Sequence, residues 1–376
     1  MKNTKVLEFS NLPFCIGATP NYNNPGNIPN TYPFKLIIND DIGRLEQANT
    51  ADLDTLLDTS YSLGLQMGTP SDNTDLGLPY VNDFISFIEK HMREKGKILE
   101  IGAGTGFLSR VMIDRGWVVD SIEPGAGYSD YWKKYNIKVI NDFFPSDMIS
   151  DRYDLIVFYT VLEHLHDTTS FLKEVGHFLK ENGKIALSVP DCTEEIEIGD
   201  PSILLHEHYH YFTSPSLIRS IAKAGFSGIV QNSTFARSLY VIASKNQKKI
   251  PGECVVDIDD DLLNYGLKVN SFKAKFQAKI EYFSSRGSVG IYCPARALNL
   301  ISGNAKMRFF DDSPLLKGKY YPPFNFVIES REQLISNPTD YLFIASRTFG
   351  DRLKYELEDL LPNTIIETIN IFDIRY

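Results

Sequence analysis

One stretch of this chain, KILEIGAGTGFLSRVMIDRGWVVDSIEP, leaves few choices of fold. A short apolar run ends in Glu100, glycines follow at Gly102, Gly104 and Gly106, and a helical pattern stops at Gly116 before a second apolar run ends in Glu123. That order predicts a strand, a tight turn, a helix and a second strand, the opening of an α/β sheet. The glycines permit a tight turn and let a ligand approach the main chain at the end of the first strand. An acidic side chain closing the second strand is placed to accept hydrogen bonds from both hydroxyls of a ribose.

The pattern continues. KVINDF, YDLIVFYTV, KIALSVP, SGIVQNS and SLYVIAS read as strands, and SFLKEVGHFLKENG reads as an amphipathic helix stopped by Gly183. SPSLIRSIAKAGF opens on Ser214 as N-cap with Pro215 at the first helical position, and Gly225 lies beyond its end. Alternation at this spacing predicts a mostly parallel sheet covered on both faces across residues 80–245. Residues 1–79 are rich in turn formers and are expected to make a small irregular domain or arm with one short strand, FKLII. After the charged link KNQKKIPGE, residues 246–376 read as a long helix followed by strands such as VGIYCP and DYLFIAS, a second, smaller α/β unit.

Composition narrows the class of partner. A formal net charge of −10 argues against nucleic acid or an anionic membrane as the main partner and for a small molecule. Four dispersed cysteines without a CxxC pair fit a reducing compartment. The N-terminus has no apolar signal region and no run is long enough to span a membrane, so the expectation is a cytoplasmic protein, monomer or homodimer.

Two cofactor classes use such a glycine loop. A dinucleotide fingerprint asks for GxGxxG, but here the third glycine comes one residue early and Phe107 stands where glycine is wanted. This disfavours a nicotinamide oxidoreductase. GxGxG preceded by an acidic residue resembles the class I S-adenosylmethionine (SAM)-dependent methyltransferases. The resemblance implies a Rossmann-like methyltransferase sheet, with SAM as cofactor and S-adenosylhomocysteine as product. It implies Glu100, Gly102, Gly104 and Gly106 near the methionine end, Glu123 on the ribose, and Asp142 and Phe143 of NDFF beside the adenine. It also implies that the loop LEHLHD, after the fourth strand, faces the substrate.

That loop holds His164 and His166, and LLHEHYHYFT holds His206, His208 and His210, so five of seven histidines sit in two places. An extended backbone would put the latter three on one face. Such a face could bind a metal, with Glu163 or Asp191 completing the set. No cysteine or fourth histidine lies nearby in sequence, so acid–base or substrate work is expected and no metal. His166 and His177 are expected to be ordinary surface or helix residues.

The chain ends resemble a narrower family, the sugar C-methyltransferases, which act on nucleotide-linked keto-sugars. SVGIYCPARALNLI, RFFDDSPLLKGKYYPP and TDYLFIASRTFGDRLKYELEDL look like that family's C-terminal domain. LEFSNLPF and YPFKLIINDDIGRLEQ keep the spacing of its N-terminal zinc domain, yet the second cysteine pair falls on Asn39 and Ile42 and the first is absent. No zinc is expected there. The family's Tyr-His-Glu-His appears as Leu205, His206, Glu207 and His208, with leucine replacing a substrate-positioning tyrosine. By the same resemblance Tyr61 and Arg237 fall near substrate.

Methyl transfer asks the protein for alignment and a nucleophile. A base removes a proton from a carbon beside a ketone or from a hydroxyl, and histidine suits this near neutral pH. His208 is the expected base, supported by His206, Glu207 and His164; His210 either meets substrate or packs at the next helix start. The expected function is methyl transfer to a carbohydrate-like small molecule, with C-methylation of a nucleotide-linked keto-sugar as its sharpest form. The alternatives are O-methylation of a surface-glycan or secondary-metabolite precursor, and a non-catalytic SAM-binding scaffold.

Overall fold

The computed structural model describes residues 6–48, 50–63, 65, 77–234, 237–245, 260–301 and 307–372. The link KNQKKIPGE beyond Lys245, and Cys254, lie outside them. The N-terminal unit runs β1 (Val6–Pro13), β2 (Thr31–Asn39), β3 (Arg44–Gln47) and α1 (Ala51–Ser62). The central unit starts with α2 (Gly77–His91), β4 (Lys97–Ile101), α3 (Phe107–Asp114), β5 (Val118–Ile122), α4 (Ser129–Tyr135), β6 (Val139–Ile140) and β7 (Tyr153–Tyr159). It continues with α5 (Thr168–His177), β8 (Leu179–Pro190), α6 (Thr193–Ile198), β9 (His210–Tyr211), α7 (Ser214–Lys223), β10 (Phe226–Asn232) and β11 (Ser238–Lys245). The C-terminal unit runs α8 (Asp260–Ser284), β12 (Val289–Tyr292), β13 (Arg308–Phe310), β14 (Ile328–Glu329), α9 (Arg331–Ser336), β15 (Tyr341–Ile344), α10 (Gly350–Leu360) and β16 (Ile365–Thr368).

The fold is α/β. Seven strands form the central sheet in the order β10-β11-β8-β7-β4-β5-β6, parallel from β8 to β6, with β11 antiparallel to both neighbours. Leu99, Ile156 and Phe158 pack on one face with Leu172 and Leu217, while Ile98, Leu155 and Val157 pack on the other with Phe84 and Met112. Burial on both faces is why these strands read as continuous apolar runs. The order reverses between β4 and β7, so the loops after these strands part and leave a crevice at their carboxyl ends. A second sheet, wholly parallel, runs β14-β13-β12-β15-β16.

The N-terminal unit is more regular than its turn-rich sequence predicts. It is an antiparallel sheet, β1-β2-β3-β9, whose last strand comes from the histidine-rich stretch: Tyr211 faces Leu45 and His210 faces Glu46. Phe34, Leu36 and Ile38 alternate inward on β2, as a sheet with one wet face requires. The polar run before Leu63 also hides α1, which buries only Leu53, Leu57 and Ser60 and starts at a Thr50 cap accepting from Leu53 N at 3.2 Å. Where the zinc family would place cysteines, Asn39 and Ile42 make a hairpin turn. Asn39 O accepts from Gly43 N at 2.7 Å, Asn39 Nδ2 donates to Glu46 at 2.8 Å, and Arg219 Nε donates to Ile42 O at 2.5 Å.

The C-terminal unit grips the approach to the histidines. Asn299 Nδ2 donates to Pro201 O at 2.9 Å and to Leu204 O at 2.8 Å, and Tyr265 Oη donates to Asp200 O at 2.9 Å. Arg347 pairs with fully buried Asp200, and Leu205 packs with Ala295, Leu298 and Phe272. No helix among the described residues is long and apolar enough to cross a membrane.

Candidate active site

The glycine loop turns on three residues of left-handed conformation. Gly102, Gly104 and Gly106 all have positive φ (72°, 51° and 78°), which glycine adopts without strain. A Cβ on Gly106 would fall 1.9 Å from Ile137 Cδ1, and one on Gly102 would fall 2.6 Å from Val161 Cγ2, so both are fixed by packing. A Cβ on Gly104 would meet nothing within 4 Å. Gly104 therefore combines a left-handed conformation with an open face. Gly104 N and Gly125 N donate to the two Glu123 carboxylate oxygens at 2.8 and 2.7 Å. Burial raises the Glu123 pKa, and the two N–H groups pull against that rise. Glu100 is buried and receives the Ser109 hydroxyl, so it braces β4 to α3. Asp142 is exposed, accepts from Ser146 Oγ at 2.6 Å and sits beside Phe143, whose ring is 74% exposed.

The three histidines of the second stretch do not share a face. His208 N donates to Leu205 O at 2.9 Å, a turn that breaks the alternation, and extended pairing begins only at His210. His206 points into the N-terminal core, with ring centroids 5.2 Å from Phe14, 4.9 Å from Phe34 and 5.8 Å from Tyr32. Burial holds its pKa down to about 4. His210 is buried near Glu46 and Arg44, with its pKa down to about 3 through burial and then the Arg44 charge. The geometry thus places His206 in the aromatic core of the N-terminal unit, away from the acid–base role expected of it, and gives His210 the packing alternative, because β9 has been recruited into the N-terminal sheet.

His208 turns the other way and meets the loop after β7. That loop opens on Thr160 at φ 54°, a strained value for a branched residue and a common mark of functional loops. His164 and His208 rings lie 4.8 Å apart at 85°, and the His164 Nε2 to Glu163 Oε1 distance is 4.0 Å. Two bonds lock the loops together: His164 Nδ1 donates to Glu207 O at 3.0 Å, and Tyr209 N donates to Glu163 O at 2.8 Å. Glu163 is 1% exposed, and burial raises its carboxyl to a pKa of about 7. Burial, then the charges of His164 and Arg296, hold His208 well below the ordinary histidine pKa, so its imidazole is neutral.

Glu207 lies at the rim of this cluster and accepts from Tyr61 Oη of α1 at 3.3 Å. Cys15 is pushed up to about 12, by burial and then by Glu207, and stays a thiol. Tyr61, Glu163, His164, Glu207 and His208 are therefore brought together, beside the glycine loop through the Gly102–Val161 contact. Arg237 is not among them: Glu194 and Glu195 hold it at 2.8 and 2.7 Å, which leaves it little charge for a phosphate. His166 pairs with Asp54 at 3.2 Å, and its ring lies 4.0 Å from that of Tyr209 at a tilt of 40°, tying α1 to the loop. Sequence reasoning weighed Glu163 only as a metal ligand and missed Arg296, whose charge acts on both Glu163 and His208. Arg296 belongs to a distant unit, and no local pattern announces it.

Comparison with known proteins agrees with the central sheet. Residues 78–231 match a family model described as a methyltransferase domain. A ubiquinone biosynthesis O-methyltransferase of Pelagibacter ubique (strain HTCC1062) is 31% identical over 93 residues, 23% of this chain and 39% of that protein. One of the same name from Glaesserella parasuis serovar 5 is 28% identical over 130 residues, 31% of this chain and 53% of that protein. The chain thus spans about half or less of the length of these relatives. Among solved structures, a 1,6-didemethyltoxoflavin-N1-methyltransferase of Burkholderia thailandensis, with 1,6-didemethyltoxoflavin and S-adenosylhomocysteine bound, is 16% identical. The match covers 54% of this chain and 96% of that one, with a TM-score of 0.41. The strand order, the glycine loop and the matched family model agree: residues 78–231 form a class I methyltransferase domain, of the kind that takes its methyl group from SAM.

Proposed function

We propose that the chain methylates a carbohydrate-like small molecule held against the loops after β4 and β7, under Tyr61 of the N-terminal unit. The observation that carries this reading is the convergence of Tyr61, Glu163, His164, Glu207 and His208 on the loop whose Val161 packs against Gly102 of the glycine loop. SAM would lie along the glycine loop, its ribose on Glu123 and its adenine beside Asp142 and exposed Phe143. The proton acceptor comes from Glu207 and His208, the two proton-accepting groups flanking the acceptor space. The sharper form is C-methylation of a nucleotide-linked keto-sugar, favoured by the three-unit organisation. Leu205 works against that exact reaction, since it packs into the C-terminal core and offers no hydroxyl. O-methylation is the second reading, favoured by the names of the relatives.

Incubation with candidate keto-sugar nucleotides in D₂O without SAM separates the two. Deuterium at the carbon beside the carbonyl is the expected result for C-methylation. Absence of exchange, with a methyl ether formed once SAM is added, establishes the oxygen route; no methyl product from any sugar acceptor removes the carbohydrate assignment.

Gly104→Ala tests the cofactor half of the reading. The added methyl enters the open face, so SAM affinity measured by calorimetry is expected to fall about ten- to a hundredfold, on the order of 1.4–2.8 kcal/mol. Stability should fall by only about 1 kcal/mol, the cost of a left-handed alanine. Unchanged affinity would place SAM elsewhere.

A further inference from the structure

We infer that Glu163, His164 and His208 form a binding site for a divalent transition-metal cation inside the acceptor pocket. The claim about the site stands on geometry, and only its chemical use rests on the methyl-transfer reading. One ligand atom from each residue lies within 4.8 Å of the others, and His164 Nε2 lies 4.0 Å from Glu163 Oε1. Ligands bound at about 2.0–2.2 Å from one ion sit roughly 3–3.5 Å apart, so side-chain movements of about 0.5–2 Å close the set.

Three further features point to an ion. His164 donates through Nδ1 to the Glu207 carbonyl, which fixes the tautomer and leaves the Nε2 lone pair facing Glu163. This outer hydrogen bond is the usual support of a metal-bound histidine. Glu163 is almost fully buried, and its Oε2 has no hydrogen-bond partner among the described residues. A buried carboxylate oxygen without a partner is costly, and a cation satisfies it. His208 brings the third donor, its ring centroid 4.8 Å from that of His164 and at 85° to it.

Two imidazoles and one carboxylate suit zinc, manganese, iron or cobalt rather than calcium, and three protein ligands leave positions open for acceptor oxygens. Such a site selects an acceptor with two neighbouring oxygens, as in a vicinal diol or a hydroxy-ketone. With the ion on His208, the proton of the acceptor passes to the Glu207 carboxylate. The resulting oxyanion or enolate forms its bond to the methyl carbon as the carbon–sulfur bond breaks, and that electron pair stays on sulfur in neutral S-adenosylhomocysteine.

The test uses the full chain stripped with EDTA, then titrated with Zn²⁺ and Mn²⁺ by calorimetry and with Co²⁺ by visible spectroscopy. One ion per chain is expected. Affinity should fall at least about tenfold in Glu163→Gln, His164→Ala and His208→Gln, while His177→Gln, on the exposed side of α5, binds like the parent. SAM affinity within twofold of the parent shows that each variant is folded. No binding to the parent, or binding that the three variants leave unchanged, overturns the site. A bound ion with no methyl product from any acceptor would keep the site and remove the methyl-transfer reading. Full turnover by protein that binds no ion would do the reverse.

Discussion

Replacing Glu207 by glutamine is expected to lower kcat for methyl transfer about 10²–10⁴-fold, the span of a lost general base, with SAM affinity within about twofold. The carboxylate lies at the rim of the Glu163–His164–His208 cluster and accepts from Tyr61 Oη at 3.3 Å. Its backbone carbonyl, which holds His164, is untouched by the substitution. Loss of rate with KM and SAM binding preserved therefore isolates the side chain. Tyr61→Phe removes the long hydrogen bond but not the base, so a smaller loss, about tenfold or less, is expected there. If Glu207→Gln turns over like the parent, the assignment of Glu207 as the proton acceptor is wrong. Steady-state kinetics with one acceptor, at saturating SAM, makes the comparison.

The parts of this site that the sequence revealed are those whose signals are local. Glycine spacing, an acidic strand end and the helix that follows are properties of one continuous stretch, and backbone sterics fix what they can build. The histidines were legible as a cluster but not as a geometry. Alternation suggested one face for His206, His208 and His210, but the turn at Leu205–His208 splits them between the N-terminal core, the His164 loop and the new sheet edge. The decision lies in tertiary pairing of β9 with β3, between residues more than 150 positions apart, which no window on the sequence contains. The N-terminal sheet was missed for a related reason. A turn-rich segment with a single clear apolar run becomes a regular sheet once a strand from elsewhere closes it. Leu205 shows the same limit: its meaning depends on the core of the C-terminal unit against which it packs.

That C-terminal unit leads to the other large expected effect. Arg347→Met should destabilise the chain by about 3–5 kcal/mol, the cost of removing one partner of a buried ion pair. Arg347 and Asp200 are 6% and 0% exposed, so the carboxylate left behind cannot reach water. Asp200 also accepts from Ser202 N at 2.8 Å, and its carbonyl receives the Tyr265 hydroxyl. Loosening it therefore frees the segment that Asn299 pins at Pro201 and Leu204, which leads directly into Leu205, Glu207 and His208. Urea unfolding gives the stability change, and the same variant should raise KM for the acceptor more than for SAM, because the glycine loop lies on the other side of the sheet's switch point. Asp200→Asn keeps the oxygen that caps Ser202 but removes the charge. Combined with Arg347→Met, it is expected to cost less than the sum of the two single changes, with a coupling of roughly 1–3 kcal/mol. Additive single and double effects would mean that the pair is not what docks the C-terminal unit onto the catalytic loop.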